Sequence, residues 1–220
     1  RFISLSEVFT YSSNIGAARV ALSQGVEAHK AFLKKLGQLD RLRTELPESA
    51  EPIVPKRWGE LNTITISFGH GLSVAPLQAV MGINALVNGG LLIPPTFLKR
   101  TEEEAKALAK QVIKPETSQK MRFLMRLNAE TGTAKKADVA GYYVGGKTGT
   151  AQVAHSSLPS GDPRRNWYEN RDHAWFAGFA PADAPEIAVV VLVEHGGSGG
   201  HEAAPLVSQI VRDWFTRIRT

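Results

Sequence analysis

The stretch Gly141–Val153, GYYVGGKTGTAQV, decides the fold, because its lysine fits two different structural settings. It matches G-x-x-x-x-G-K-T, the pattern of a phosphate-binding loop. Such a loop needs an apolar strand leading in and a helix starting at the lysine, so that the helix N-terminus faces the phosphates. Neither is encoded here. The lead-in GTAKKADVA (132–140) is not an apolar strand. Beyond Lys147, Gly149, Pro159 and Pro163 with serines between them break any helix. The run AVVVLVE (188–194) has the look of a nucleotide-site strand ending in an acid, but many buried strands end in a polar residue.

The other setting is a strand. Alternation over Tyr142–Val153 puts Lys147, Gly149 and Ala151 on one face, and Thr148 and Thr150 on the other. Nearby glycines let a ligand backbone lie against the strand edge. A cation with two hydroxyls suits an extended peptide ending in a carboxylate.

Working outward, residues up to about 135 read mostly as helices. Ser13 or Asn14 caps a helix through IGAARVALSQ, and VEAHKAFLKKLG has helical spacing up to Gly37. Residues 38–62 read as loop, broken by Pro47, Pro52, Pro55 and Gly59. APLQAVMGINALVNGG starts on Pro76 and stops at Gly89, and a further helix runs between Pro115 and Gly132. From 141 the chain turns to strands: the lysine stretch, HAWFAGFAP and EIAVVVLVEH. The last is apolar on both alternations, which predicts a strand buried on both faces in the middle of a sheet. AAPLVSQIVRDWFTRIR is an amphipathic helix, with Leu206, Ile210, Trp214 and Ile218 on one line and Val207, Val211 and Phe215 beside it. No β-α-β alternation appears, so the expected class is α/β of the α+β type: an antiparallel sheet flanked by helices. TGTA occurs at 131 and again at 148; the repeat is taken as chance.

Composition narrows the function. The 220 residues carry 21% charged side chains, as a folded chain would, and no apolar run long enough to cross a bilayer. The opening RFISLSEVFT has no methionine, as in an excised domain. Cysteine is absent, in keeping with an oxidising compartment. The net charge of +5 comes from scattered lysines and arginines interleaved with acids, as in KRTEEEAKALAKQ, so a mixed solvated surface is expected rather than a nucleic-acid footprint. The basic–aromatic segment DPRRNWYENRD (162–172) reads as a loop facing substrate, partner or solvent. No histidine pair has the spacing of a zinc site, and His195 and His201 flank GGSGG, a mobile turn by composition. No metal and no cofactor are expected.

SSN at 12–14 and GGKTGTAQV at 145–153, in that order, resemble the second and third motifs of the penicillin-binding transpeptidases. FGHGLSVAPLQAVMGINALVNGG (68–90) and HAWFAGFAPADAPEIAVVVLVEHGG (173–197) are similar to segments of the class B members. AGYYVGGKTGTA looks more like division-type members, and the C-terminal strands more like elongation-type members. The resemblance implies a serine β-lactamase/transpeptidase-like fold and acyl transfer at a D-alanyl-D-alanine stem peptide, with β-lactams as mimics. It implies that Ser12 relays a proton, Lys147 supplies a positive field, and Asn14 holds the substrate amide. Thr148 and Thr150 would receive the carboxylate beside Gly149, with the Thr150 N–H as an oxyanion donor. It also implies the periplasmic face of a bacterial inner membrane, an anchor outside these residues, and other cell-wall synthesis proteins as partners.

One departure matters. The family's nucleophile lies in S-x-x-K upstream of S-x-N, and no S-x-x-K occurs here; Ser4, Ser6 and Ser118 each lack a lysine three residues on. The expectation is a partial transpeptidase domain over 1–220, unable to acylate by itself, with the sheet edge beside EIAVVVLVEH left open. A second reading keeps the fold without the chemistry, as a penicillin-sensing or scaffold domain.

Overall fold

The computed structural model describes residues 2–152 and 172–219. Helix α1 (Leu5–Thr10) is opened by a capping box: Ser4 Oγ accepts the Glu7 N–H at 3.2 Å, and Glu7 Oε2 accepts the Ser4 N–H at 2.7 Å. A tight turn leads into α2 (Asn14–Gln24), and Ser13, not Asn14, caps it, accepting the Gly16 N–H at 3.2 Å. Gly25, at φ 82°, turns the chain into α3 (Val26–Lys35).

Helix α4 (Glu60–Ser67) follows a long connection and was not expected from its β-branched sequence ELNTITIS. Tertiary contacts override that propensity. Thr63 and Ile66 are buried, and the Trp58 indole N–H donates to Thr63 Oγ1 at 3.0 Å. Helix α5 (Pro76–Val87) begins on its proline as expected. Strands β1 (Leu91–Leu92) and β2 (Lys110–Gln111) form a small antiparallel ribbon around α6 (Glu102–Leu108), and α7 (Pro115–Thr131) also starts on a proline.

Strands β3 (Gly145–Ala151), β4 (His173–Ala180) and β5 (Ile187–Val193) form the main sheet, antiparallel throughout, in the order β3-β4-β5. Lys147 lies opposite Ala177 and Gly149 opposite Trp175. A π turn (Gly199–Ala203) then leads into α8 (Ala204–Asp213), which a second π turn (Trp214–Ile218) extends. The fold is thus the expected antiparallel sheet with helices packed on it.

The sheet has a core on each face. Phe176 packs with Val207 and Val211 of α8, all fully buried. Phe179 packs with Val87 of α5 and Met125 of α7. Both rings lie across the start of β3, and its glycines make room. A Cβ on Gly146 would sit 2.4 Å from the Phe176 ring, and one on Gly145 2.6 Å from the Phe179 ring. These two glycines therefore serve core packing, not the approach of a ligand backbone.

Three expectations need correction. Among the described residues β4, not β5, is in the middle of the sheet, and nothing pairs with the outer edge of β5, the open edge expected there. Only Val189 of β5 is buried, the rest being partly exposed. Composition reports apolar neighbours on both faces but not the number of strands alongside. The C-terminal helix is rotated by one position, so Val207 and Val211 enter the core while Leu206 and Ile210 stay 39% and 40% exposed. Finally, GGSGG is not a slack turn throughout. Gly199 is buried, and a Cβ there would fall 2.2 Å from the carbonyls of both Gly149 and Trp175. The segment 162–171 lies outside the described residues.

Candidate active site

The turn between α1 and α2 is closed by backbone hydrogen bonds from Ser12 N to Phe9 O and from Ser13 N to Val8 O. It holds Ser12 at φ 54°, a left-handed conformation that costs a non-glycine residue roughly 1–2 kcal/mol. The result is an exposed Ser12 side chain aimed at β3. Lys147 Nζ donates to Ser12 Oγ at 2.7 Å, joining positions 135 residues apart in sequence. Lys147 also donates to its neighbour's carbonyl, Thr148 O, at 3.0 Å.

Burial of the Lys147 ammonium pulls its pKa down to about 8. No carboxylate pairs with it among the described residues. At pH 7 about a tenth of such amines are neutral, so this one both carries charge and exchanges a proton near physiological pH. Because the lysine is the donor, the proton of Ser12 is left for another acceptor. Lys147 lies inside a strand and no helix starts at it, which removes the phosphate-loop reading.

Asn14 stands exposed at the first position of α2, and capping by Ser13 leaves its amide uncommitted to the helix end. Thr148 and Thr150 are held from other elements. Thr148 Oγ1 donates to Thr133 Oγ1 at 2.8 Å, and Thr150 Oγ1 accepts the Gly199 N–H at 3.3 Å. One edge of β3 pairs with β4; no described strand pairs with the other. A strand edge of this kind can take an extended peptide as an added strand.

Two supporting residues were not singled out from the sequence. Thr133 belongs to the first TGTA and Thr148 to the second, and the two touch, so the repeat taken as chance meets itself in the fold. Asn128, fully buried on α7, donates from Nδ2 to Gly146 O at 2.8 Å and accepts the Thr133 N–H at 3.1 Å. An asparagine amid the apolar positions of a helix was the available signal. At the rim, Lys136 Nζ lies 3.2 Å from His201 Nδ1.

Known proteins resemble this chain in sequence and fold. The family described as penicillin binding protein transpeptidase domain matches residues 1–212. A probable peptidoglycan D,D-transpeptidase FtsI of Caulobacter vibrioides is 33% identical over 225 residues, covering 95% of this chain and 37% of that protein. The apo transpeptidase domain of Burkholderia pseudomallei penicillin-binding protein 3 superposes with a TM-score of 0.85 at 29% identity, over 99% of this chain and 65% of that one. Penicillin-binding protein 3 of Mycobacterium tuberculosis, solved with ampicillin, gives 0.82 at 27% identity, over 99% and 51%. The chain therefore spans little more than a third of the curated relative. The match runs along all but the C-terminal end of the sequence, and the chain belongs to the penicillin-binding protein transpeptidase family.

Proposed function

We propose that these residues form the S-x-N and K-T-G side of a peptidoglycan D,D-transpeptidase site, the target of β-lactams. The observation that carries this is the 2.7 Å hydrogen bond between Lys147 and Ser12, which brings the two motifs into one cleft. In the reaction a serine hydroxyl attacks the carbonyl carbon of the penultimate D-alanine of a stem peptide. The peptide C–N bond breaks, and D-alanine leaves with a proton delivered through Ser12. An amine of a second strand then attacks the ester, forming the cross-link and restoring the serine hydroxyl. A β-lactam enters the same path and stops at the ester.

Lys147 holds positive potential at Ser12 and at the substrate carboxylate, Asn14 hydrogen-bonds the substrate amide, and Thr148 and Thr150 receive the carboxylate beside Gly149. The Thr150 N–H is one oxyanion donor, a contact worth roughly 10²–10³ in rate. The sequence holds no S-x-x-K, so the attacking serine is supplied by a segment outside these 220 residues, which form part of one transpeptidase domain. The site works at the periplasmic face of the inner membrane, with other cell-wall synthesis proteins as neighbours. No described helix is long and apolar enough to cross a membrane.

The absence of S-x-x-K is also the one observation favouring a non-catalytic sensor or scaffold. Intact mass after incubation with a penicillin separates the two readings. The full-length protein is expected to gain one penicillin, and the 220-residue chain none. A folded full-length protein without adduct would refute the transpeptidase reading and favour the scaffold.

A further inference from the structure

The two threonines expected to receive a carboxylate are not equivalent in their protons. Thr150 Oγ1 accepts the Gly199 N–H, so its own proton is free to point outward. Thr148 Oγ1 donates to Thr133 Oγ1 at 2.8 Å, and Thr133 Oγ1 in turn donates to Asn128 Oδ1 at 3.4 Å. In this order Thr148 shows the cleft only lone pairs, the wrong polarity for a carboxylate.

The Asn128 amide cannot turn over to change this. Its Nδ2 donates to Gly146 O at 2.8 Å and its Oδ1 accepts the Thr133 N–H at 3.1 Å. A flipped amide would set N–H against N–H and carbonyl against carbonyl in a fully buried site. Gly132 seals the position, since a Cβ there would lie 2.1 Å from Asn128 Oδ1 and 2.7 Å from Thr10 O. Only the two hydroxyls can rotate. If Thr133 turns its proton from Asn128 to Thr148, it exchanges a 3.4 Å contact for one of 2.8 Å. Asn128 Oδ1 keeps the Thr133 N–H, so no buried group is left without a partner. Thr148 is then released to donate into the cleft.

We infer that Thr133 is a positioning residue for carboxylate recognition: its hydroxyl, parked on Asn128, rotates onto Thr148 and turns that threonine into a donor toward the incoming carboxylate. The inference rests on the transpeptidase reading and on Thr148 facing the substrate carboxylate. It involves two hydroxyl rotations and no bond breaking. It assigns a specific task to the first TGTA, outside both sequence motifs.

The test uses the full-length protein with Thr133→Val and Thr133→Ser. Acylation by benzylpenicillin is followed to separate the non-covalent dissociation constant from the acylation rate constant, and the methyl ester of benzylpenicillin is run beside it. Thr133→Val leaves Thr148 its own proton but removes the hydroxyl that orients it, and is expected to weaken the dissociation constant for benzylpenicillin about fivefold, the size of one neutral hydrogen bond. The rate constant should change less than about twofold, being outside this hydrogen bond. Thr133→Ser should restore wild-type behaviour, and the ester should not distinguish the three proteins. If the valine variant does not fold, Thr133→Ala serves in its place with the same expectation. Equal losses on both ligands, no loss at all, or failure of serine to rescue overturns the inference while leaving the transpeptidase reading standing. A wild-type protein that takes no label overturns both.

Discussion

Lys147 gives a prediction whose sign and size both follow from its surroundings. Burial lowers its pKa from 10.5 to about 8. A lysine depressed in this way binds its proton more weakly folded than unfolded. Below pH 8 both states are protonated, and the folded state carries the full cost of the buried charge. Between pH 8 and 10.5 the folded lysine is neutral while the unfolded one is still charged, so stability rises with pH. Above 10.5 both are neutral and the cost is gone. At 1.36 kcal/mol per unit the change is about 3 kcal/mol across the window, reduced toward roughly 2 by solvent at the open cleft. Lys147→Met removes the titration at similar length. Urea unfolding of the full-length protein and of this variant, from pH 7 to 10.5, isolates the lysine as a difference, because the other titrating groups cancel. The wild type should gain stability relative to the variant as pH rises. A flat difference would refute the claim that burial dominates. A difference of opposite sign would mean that an unseen anion holds the charge.

The buried network and the close-packed glycines give further tests by urea unfolding. Asn128→Leu leaves Gly146 O and the Thr133 N–H without their buried partner, and should cost about 2–4 kcal/mol; a loss below 1 kcal/mol would mean that water replaces the amide. Gly146→Ala drives a methyl into the Phe176 ring and should cost about 1–3 kcal/mol. Gly199→Ala meets two carbonyls instead of a ring, so it should move the π turn off β3 and lower penicillin labelling of the full-length protein more than Gly146→Ala does. Ser12→Ala should change stability by less than about 1 kcal/mol, because the bond is exposed. The same change should slow labelling about 10²-fold or more by removing the proton relay, and an unchanged rate would take Ser12 out of the mechanism.

The parts of the fold that were legible are those that chain-local chemistry decides. Helices α5 and α7 announce themselves by a proline at the first position and a glycine after the last turn. Strand β3 was readable because Gly149 and the downstream Pro159 and Pro163 forbid the helix that a phosphate loop requires. Helix α4 was hidden because its ITI run favours a strand, and only Trp58 and the packing around Thr63 decide otherwise. The open edge of β5 among the described residues agrees with the absent upstream motif, while its apolar composition alone pointed to a central strand, because strand count belongs to the assembled sheet.

The site divides along the same line. Ser12, Lys147, Thr148 and Thr150 could be named from their motifs, but what holds them could not, because each is fixed by a different element. Lys147 is tied to the α1–α2 turn, Thr148 to the residue just past α7, and Thr150 to the π turn before α8. Strand β3 gives up side chains at Gly145 and Gly146 so that Phe179 and Phe176 can close on it, and Gly199 gives up its own to lie against the Gly149 and Trp175 carbonyls. The functional groups of β3 are set by three hydrogen bonds from three directions, each spanning at least 15 residues of sequence. Loss of one tie should release one side chain and leave the other two in place. Ser12→Ala and Thr133→Val are thus expected to act on different steps, proton delivery and carboxylate binding, and their effects on labelling should multiply rather than overlap.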